Sequence, residues 1–266
     1  MLTTAFRSGS REAYVPVVVE AAGLGLVTGT PDDSLEVELF VYVSDRQGRM
    51  RDFISQVFSL GAKNRGEALR QGGLKYYGDL LLPPGDYVVR VLVRNTETGR
   101  AGVESVPLRV PDFTVPAAAI LPPFFMDRAG RWLLVREKAP LDAGSVIYPF
   151  VVNGEPFVPS ARGEIQSGES VAVCVVAYNQ DRRLPSLEGL VRGADGQPVR
   201  ASSLRVRERT ATGIAGLDKL VVEFDAVGIS PGDYTLEVRF ADAGPGSLPS
   251  PTSAFTVLEA VGGTTR

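Results

Sequence analysis

Four residues recur in this chain in the same order and setting, Pro84-Gly85-Asp86-Tyr87 and Pro231-Gly232-Asp233-Tyr234, 147 positions apart (231 − 84). Each opens an apolar run, Tyr87 to Arg94 and Tyr234 to Phe240. In both copies a further β-rich stretch ends 23 residues after the tyrosine, at Val110 and at Val257. A recurrence that keeps its internal spacing marks a repeated structural unit. The chain is therefore expected to be a tandem duplication of one β module, a tighter constraint on its fold than its length of 266 residues.

The stretches around the repeat read as short strands. Val15 to Glu20 is β-branched, and Leu35 to Val43 begins by alternating apolar with acidic residues, the period-two pattern of a half-buried strand. Asp45 to Gly48 then turns the chain into Met50 to Phe58, which reads as a hairpin. The polar stretch from Gly61 to Gly73 is expected to be an exposed crossing loop with at most a turn or two of helix, returning as a strand over Leu74 to Leu82. The second half keeps the order, with Val171 to Tyr178, Leu187 to Arg192, a turn at Ala194 to Gln197, Ser203 to Glu208, Leu217 to Phe224 and Ser253 to Leu258. The turn glycines Gly48 and Gly196 are 148 apart, within one residue of the main repeat.

Turn signals about every ten residues and the lack of a long amphipathic helix argue for antiparallel sandwiches. The expected fold class is all-β, with two tandem immunoglobulin-like or fibronectin-like β-sandwiches at 1–112 and 145–260. Residues 113–144 form a Pro-rich connection too apolar for a flexible linker, and 261–266 a disordered tail. Part of the connection is expected to supply the second domain's first strand, while Phe124, Phe125 and Trp132 pack on a domain face and restrict motion between the domains. In such folds the tyrosine opening the penultimate strand ties it through its hydroxyl to the preceding connection. Tyr87 and Tyr234 take that place. Pro84 and Pro231 fix φ, Gly85 and Gly232 permit the turn, and Asp86 and Asp233 can bond neighbouring amides.

Composition removes whole classes of chemistry. The chain has no histidine, so Ser-His-Asp, Cys-His and His-ligated zinc sites are excluded. A net charge of −3, a pI near 5.3 and no run of Lys or Arg leave no field for nucleic acid. Cys174 is the only cysteine, inside an apolar strand, so no intrachain disulfide forms and the thiol reads as a small core residue. No stretch is long and apolar enough to span a membrane, and the first ten residues lack a basic region followed by an apolar one, so no export address is read in the chain.

Three local features invite a functional reading. Gly23-Leu24-Gly25 with Gly29 superficially suggests a dinucleotide loop, but Thr30 to Ser34 cannot open the helix that would hold a pyrophosphate, so a strand or glycine-rich connection is expected. Asp32 and Asp33, with Asp86 or Asp112, could approach a Ca²⁺ ion, yet no calcium-loop spacing is present and turn capping is expected. Tyr76 and Tyr77 are adjacent in a strand and point to opposite faces, so one is expected to face solvent and, with Trp132, to offer an interaction surface or a sugar platform.

Several phrases, Thr3 to Arg7, Leu39 to Asp45, Leu74 to Asp79, Leu82 to Arg94 with Thr98 to Arg100, and Pro149 to Pro159, resemble the C-terminal region of bacterial VWFA-related proteins, large exported chains with a von Willebrand factor A domain. The likeness spans most of the chain and consists of strand and turn phrases. The A domain and its metal motif are absent, so no metal-binding residue is carried over. The resemblance implies an accessory β-sandwich pair from a larger secreted or periplasmic protein, with Met1 at a boundary inside such a phrase.

The reading that follows is a non-catalytic extracytoplasmic module without cofactor or metal, acting as a rigid spacer or protein-protein interaction segment. A carbohydrate-binding module is the first alternative and would need exposed aromatics around Tyr76, Tyr77 or Trp132, with a polysaccharide as partner. A carboxylate hydrolase is the second and would need two acids facing each other across a cleft.

Overall fold

The computed structural model describes residues 1–7, 11–29, 34–61, 69–70, 72–114, 119–127, 132–136, 151–152, 155–156, 159–178, 186–211, 217–241 and 251–259. The chain divides into two compact units, Met1–Thr114 with Arg128–Val146, and Val115–Asp127 with Ile147–Arg266. The connection expected at 113–144 is thus shared between the units. The expected tail, 261–266, lies outside the described residues.

The first unit contains β1 (Leu2–Thr3), β2 (Phe6–Arg7), β3 (Ala13–Ala22), α1 (Gly23–Val27), β4 (Ser34–Asp45), β5 (Met50–Gly61), β6 (Gly73–Leu82), β7 (Gly85–Asn95) and β8 (Ala101–Val110). After β9 (Ala119–Ile120) and β10 (Phe124–Phe125), which belong to the second unit, β11 (Leu133–Arg136) returns to the first. One sheet runs β1-β3-β6-β11, with β2 also on β3, and the other runs β5-β4-β7-β8. Every pairing is antiparallel except β11 on β6, where Leu133 to Arg136 lie beside Leu74 to Tyr77. The two sheets close on one core, into which β3 sends Val15, Val17 and Val19, β4 sends Leu39, Val41 and Val43, and β7 sends Val89, Val91 and Val93. Each such side chain stabilises the fold by roughly 1.5–3 kcal/mol relative to exposure. The alternate residues of β7 face outward, where Arg94 pairs with Glu38 and Arg90 donates to Ser105 Oγ at 3.0 Å.

Two expectations change here. The glycine stretch after β3 is a single helical turn, α1, rather than a strand or an open connection. It begins with glycine because a Cβ at Gly23 would lie on the Leu69 carbonyl. Leu69, inside the stretch expected to be an exposed crossing loop, is buried in the core, while 62–68 and 71 lie outside the described residues. The 45–49 turn forms as expected, with Gly48 at φ +77° and Asp45 Oδ1 accepting from the amides of Gln47 and Arg49 at 2.9 and 3.0 Å.

The second unit adds the hairpin β12 (Val151–Val152) and β13 (Glu155–Pro156), then β14 (Gly163–Gln166), β15 (Ser170–Tyr178), β16 (Leu187–Gly193), β17 (Pro198–Ala211), β18 (Leu217–Asp225), β19 (Gly232–Phe240) and β20 (Thr252–Leu258). Its layers are joined by β17, which pairs with β16 over Pro198 to Leu204 and with β18 over Arg205 to Ala211, with a register shift between Val206 and Glu208. One side is β9 and β10 on β15, then β18, and the other is β16-β19-β20-β14. The core between them holds Val173, Val175, Leu220, Phe224, Val238 and Phe255, among others. Gly163 to Gln166 of β14 lie parallel to Phe255 to Leu258 of β20. Both units are therefore β-sandwiches of the immunoglobulin-like class, antiparallel apart from β11 and β14.

Candidate functional site

The repeated tetrapeptide builds the same local device twice. Tyr87 opens β7 and its hydroxyl donates to the Pro83 carbonyl at 2.8 Å, and Tyr234 opens β19 and donates to the Ser230 carbonyl at 2.9 Å, each acceptor four residues upstream. To reach back, the tyrosine ring folds over the glycine two positions before it. A Cβ on Gly85 would lie 3.0 Å from Tyr87 Oη and 3.1 Å from Cζ, and one on Gly232 would lie 3.5 Å from the Tyr234 ring. Glycine thus relieves a tight ring contact at Gly85, whereas at Gly232 the ring stands at ordinary contact distance and the φ of +154° favours glycine. Tyr234 stacks on Phe255, centroids 5.6 Å apart, which ties that corner to the second core.

The aspartates act differently from expectation. Neither caps its own turn in the hydrogen bonds of the described residues. Asp86 pairs with Arg46 at 2.9 Å, and Asp233 Oδ1 accepts from Thr256 Oγ1 at 2.9 Å and pairs with Arg162 at 2.7 Å. Both carboxylates are exposed and reach neighbouring segments, because the tyrosine already fixes the turn.

The aromatic surface expected at Tyr76 and Tyr77 is not there. Tyr76 is 0% and Tyr77 5% exposed. Tyr76 points into the inter-sheet core, with Phe58 at 5.9 Å, and Gly78 leaves the space its ring occupies. Tyr77 points to the opposite face, as alternation requires, but that face is also covered, and its hydroxyl meets Tyr14 Oη at 2.6 Å. Trp132 is half-buried, with the Lys75 ammonium 5.3 Å from its ring centroid and its edge against Gly73. Lys75 is itself buried and pairs with Glu20 across the β3–β6 ladder at 2.7 Å. These rings are structural cover for β6, so no sugar platform can be assembled from Tyr76 and Tyr77.

A recess that the sequence did not lead one to expect lies at one edge of the first sandwich. It encloses about 630 Å³ between the end of β3 with α1 and the start of β8. Val19, Leu26, Val91 and Val93 form an apolar floor, small residues such as Ala21 and Gly102 leave it open, and Glu20, Arg100 and Glu104 stand at the rim. The Met1 amino group lies 2.7 Å from Glu104. Among the described residues Arg100 has no ion-pair partner. The only signal in the sequence was the pair of small-residue runs, Ala21-Ala22-Gly23 and Ala101-Gly102, at strand ends.

Titratable groups elsewhere serve the fold. Burial alone would raise the Asp45 carboxyl, but the Arg49 amide and guanidinium and the Gln47 amide outweigh it and hold the group below the usual range. Burial raises Asp79 above that range. Burial also pushes the Cys174 thiol up to about 12. Among the described residues no three His, Cys, Asp or Glu side chains are grouped to hold a metal ion, and Asp32 and Asp33 lie outside the described residues.

No protein-family model and no curated relative matches the chain. Among solved structures, it is similar to fibronectin(III)-like modules of Clostridium thermocellum CbhA at 11% identity and a TM-score of 0.26, over 94% of this chain and 87% of that one. It is also similar to Escherichia coli alpha-2-macroglobulin in its native conformation, at 15% identity and a TM-score of 0.26, over 97% of this chain but 16% of that one. Scores this low carry no argument about fold or function, which rest on the strand pairing above. No helix among the described residues is long and apolar enough to cross a membrane.

Proposed function

We propose that the chain is a non-catalytic, extracytoplasmic β-sandwich module of a larger bacterial protein of the VWFA-related kind, serving as a rigid spacer or protein-protein interaction segment. The observation that carries this reading is the duplicated corner. The most distinctive motif in the chain performs the same hydrogen bond in both units, from Tyr87 to Pro83 and from Tyr234 to Ser230. A residue set spent identically in two copies is architecture. The strand and turn phrases that resemble those of VWFA-related chains support the larger context.

The spacer role turns on the connecting segment. Phe125 is anchored in the second core and Trp132, seven residues on (132 − 125), lies against β6 of the first unit. The spacer role proposed here requires this connection to keep the two units from moving independently. Spin labels on M50C and V199C, both exposed sites in different units, test it by electron–electron distance measurement. Native Cys174 is buried and stays unlabelled. A single narrow distance distribution is expected, and a broad or multi-peaked one would remove the spacer role.

A further inference from the structure

The two units treat the second strand of their repeated hairpin differently. Just beyond the turn glycine, Gly48 in one and Gly196 in the other, each starts a long strand, β5 and β17. β17 begins with Pro198, divides its length between two neighbours and carries Arg200, Arg205, Arg207 and Arg209. Prolines, irregularities and charges are the means by which a sheet edge avoids pairing with another chain. Residues 53–61 of β5 have none of them, being nine residues (61 − 53 + 1) without a charge or a proline. β5 stays on β4 from Met50 to Gly61, and among the described residues no strand lies on its other side. Phe53 and Val57, on its outer face, are 56% and 55% exposed.

We infer that the β5 edge is a dimerisation site, at which a second copy of this chain pairs its own β5 antiparallel about a two-fold axis through Ser55. The inference rests on the protein-interaction role proposed above and names the partner. A two-fold contact must be self-complementary, and about Ser55 the sequence is so. On the outer face Phe53 meets the partner's Val57 and Val57 meets the partner's Phe53, aromatic on β-branched, a pairing that stabilises antiparallel ladders. The two charges of the strand, Arg51 and Asp52, meet the partner's Ser59 and the partner's Phe58, so no like charges oppose. Moving the axis to Ile54 or Gln56 sets Phe53 against a serine and loses both apolar pairs, which fixes the register. The Phe53 amide is held meanwhile by Asp52 Oδ1 at 2.8 Å, an exposed bond that water or a partner carbonyl replaces at little cost. Pairing joins β5-β4-β7-β8 of both copies into one continuous sheet. The contact is a single strand wide, below the area of a standard interface, so association is weak and concentration-dependent.

The test is sedimentation velocity on the full chain from about 1 µM to about 500 µM, with residue-resolved hydrogen exchange at both ends of that range. The wild type is expected to pass from monomer to dimer with half-association at roughly 10–100 µM. Amides within residues 53–57 should exchange several-fold more slowly at the higher concentration. Ser55→Lys and Ser55→Glu each set like charges directly opposite across the axis. Either alone should weaken dimerisation several-fold or more and leave the urea midpoint unchanged, because Ser55 is exposed. Mixed one to one, the two variants should dimerise at least as well as the wild type. Should either variant shift the urea midpoint, exchange in the wild type decides. A wild type that stays monomeric, or a dimer without protection at residues 53–57, would overturn the inference. Dimerisation that ignores both single changes, is not restored in the mixture, or continues past the dimer would overturn it equally. Spin-label distances measured in the Ser55→Lys background read the connection alone, so either result can fail without the other.

Discussion

Combining Gly85→Ala with Tyr87→Phe isolates the corner that both units share. Tyr87→Phe removes one hydrogen bond of 2.8 Å from a side chain only 7% exposed, leaving the Pro83 carbonyl without that donor. The expected cost is about 1 kcal/mol. Gly85→Ala places a methyl 3.0 Å from the same hydroxyl oxygen and 3.1 Å from the ring carbon that bears it, so the ring must retreat and the hydrogen bond lengthens. That cost is also about 1 kcal/mol, offset by roughly 0.4–1 kcal/mol because alanine restricts the unfolded chain more than glycine. In the Tyr87→Phe background the hydrogen bond is already gone and the ring, though still near the new methyl, can retreat without losing a partner, so Gly85→Ala should cost little or nothing. The two changes should therefore couple by about 1 kcal/mol. The assay is urea unfolding followed by the fluorescence of Trp132, the only tryptophan, which sits against β6 and reports on the first unit. Additivity within about 0.3 kcal/mol would refute the claim that Gly85 lets the Tyr87 hydroxyl reach Pro83.

Three further outcomes follow from other parts of the fold. Lys75→Ala leaves the largely buried Glu20 carboxylate without its 2.7 Å partner and should lower first-unit stability by about 3 kcal/mol, with Glu20→Leu/Lys75→Met recovering most of the loss in the same assay. The Asp79 carboxyl is raised by burial, so its contribution is fully present below the unfolded carboxylate pKa and is lost as pH rises through the folded one. Asp79→Asn should accordingly raise the urea midpoint at neutral pH, with the gain vanishing below about pH 4; a gain that persists in acid would contradict the assigned cause. Cys174, buried and with its thiol pushed up to about 12, should resist a thiol-reactive disulfide reagent at mildly alkaline pH in the native protein and react with one equivalent in urea.

The parts of this fold that could be read in the sequence are those set by neighbours along the chain. The Pro-Gly-Asp-Tyr corner is a contact between residues four apart, and the Asp45 turn closes within five residues, so both leave a local signature. Strand alternation at the start of β4 was legible because one side of the strand faces the core. Alternation could say that Tyr76 and Tyr77 point to opposite faces, but not that both faces of β6 are covered, which depends on Tyr14, Trp132 and other residues distant in the chain. The parallel pairing of β14 with β20 joins residues about ninety positions apart and leaves no periodic mark. The passage of β17 from one layer to the other was equally hidden, since its register shift is a single-residue event. The recess was illegible for a related reason. It is lined by residues of β3, α1, β7 and β8 that lie far apart in the chain.

The central claim is that one sandwich is built twice, each held by its own tyrosine corner. Native-state hydrogen exchange on the wild type, Tyr87→Phe and Tyr234→Phe tests it most directly. Tyr87→Phe should reduce protection in Leu39–Val43 and Val89–Val93, the core strands of the first unit, while Val173–Ala177 of the second keeps its wild-type rates, and Tyr234→Phe should do the reverse. Loss of protection in both cores from either substitution, or in neither, would contradict it.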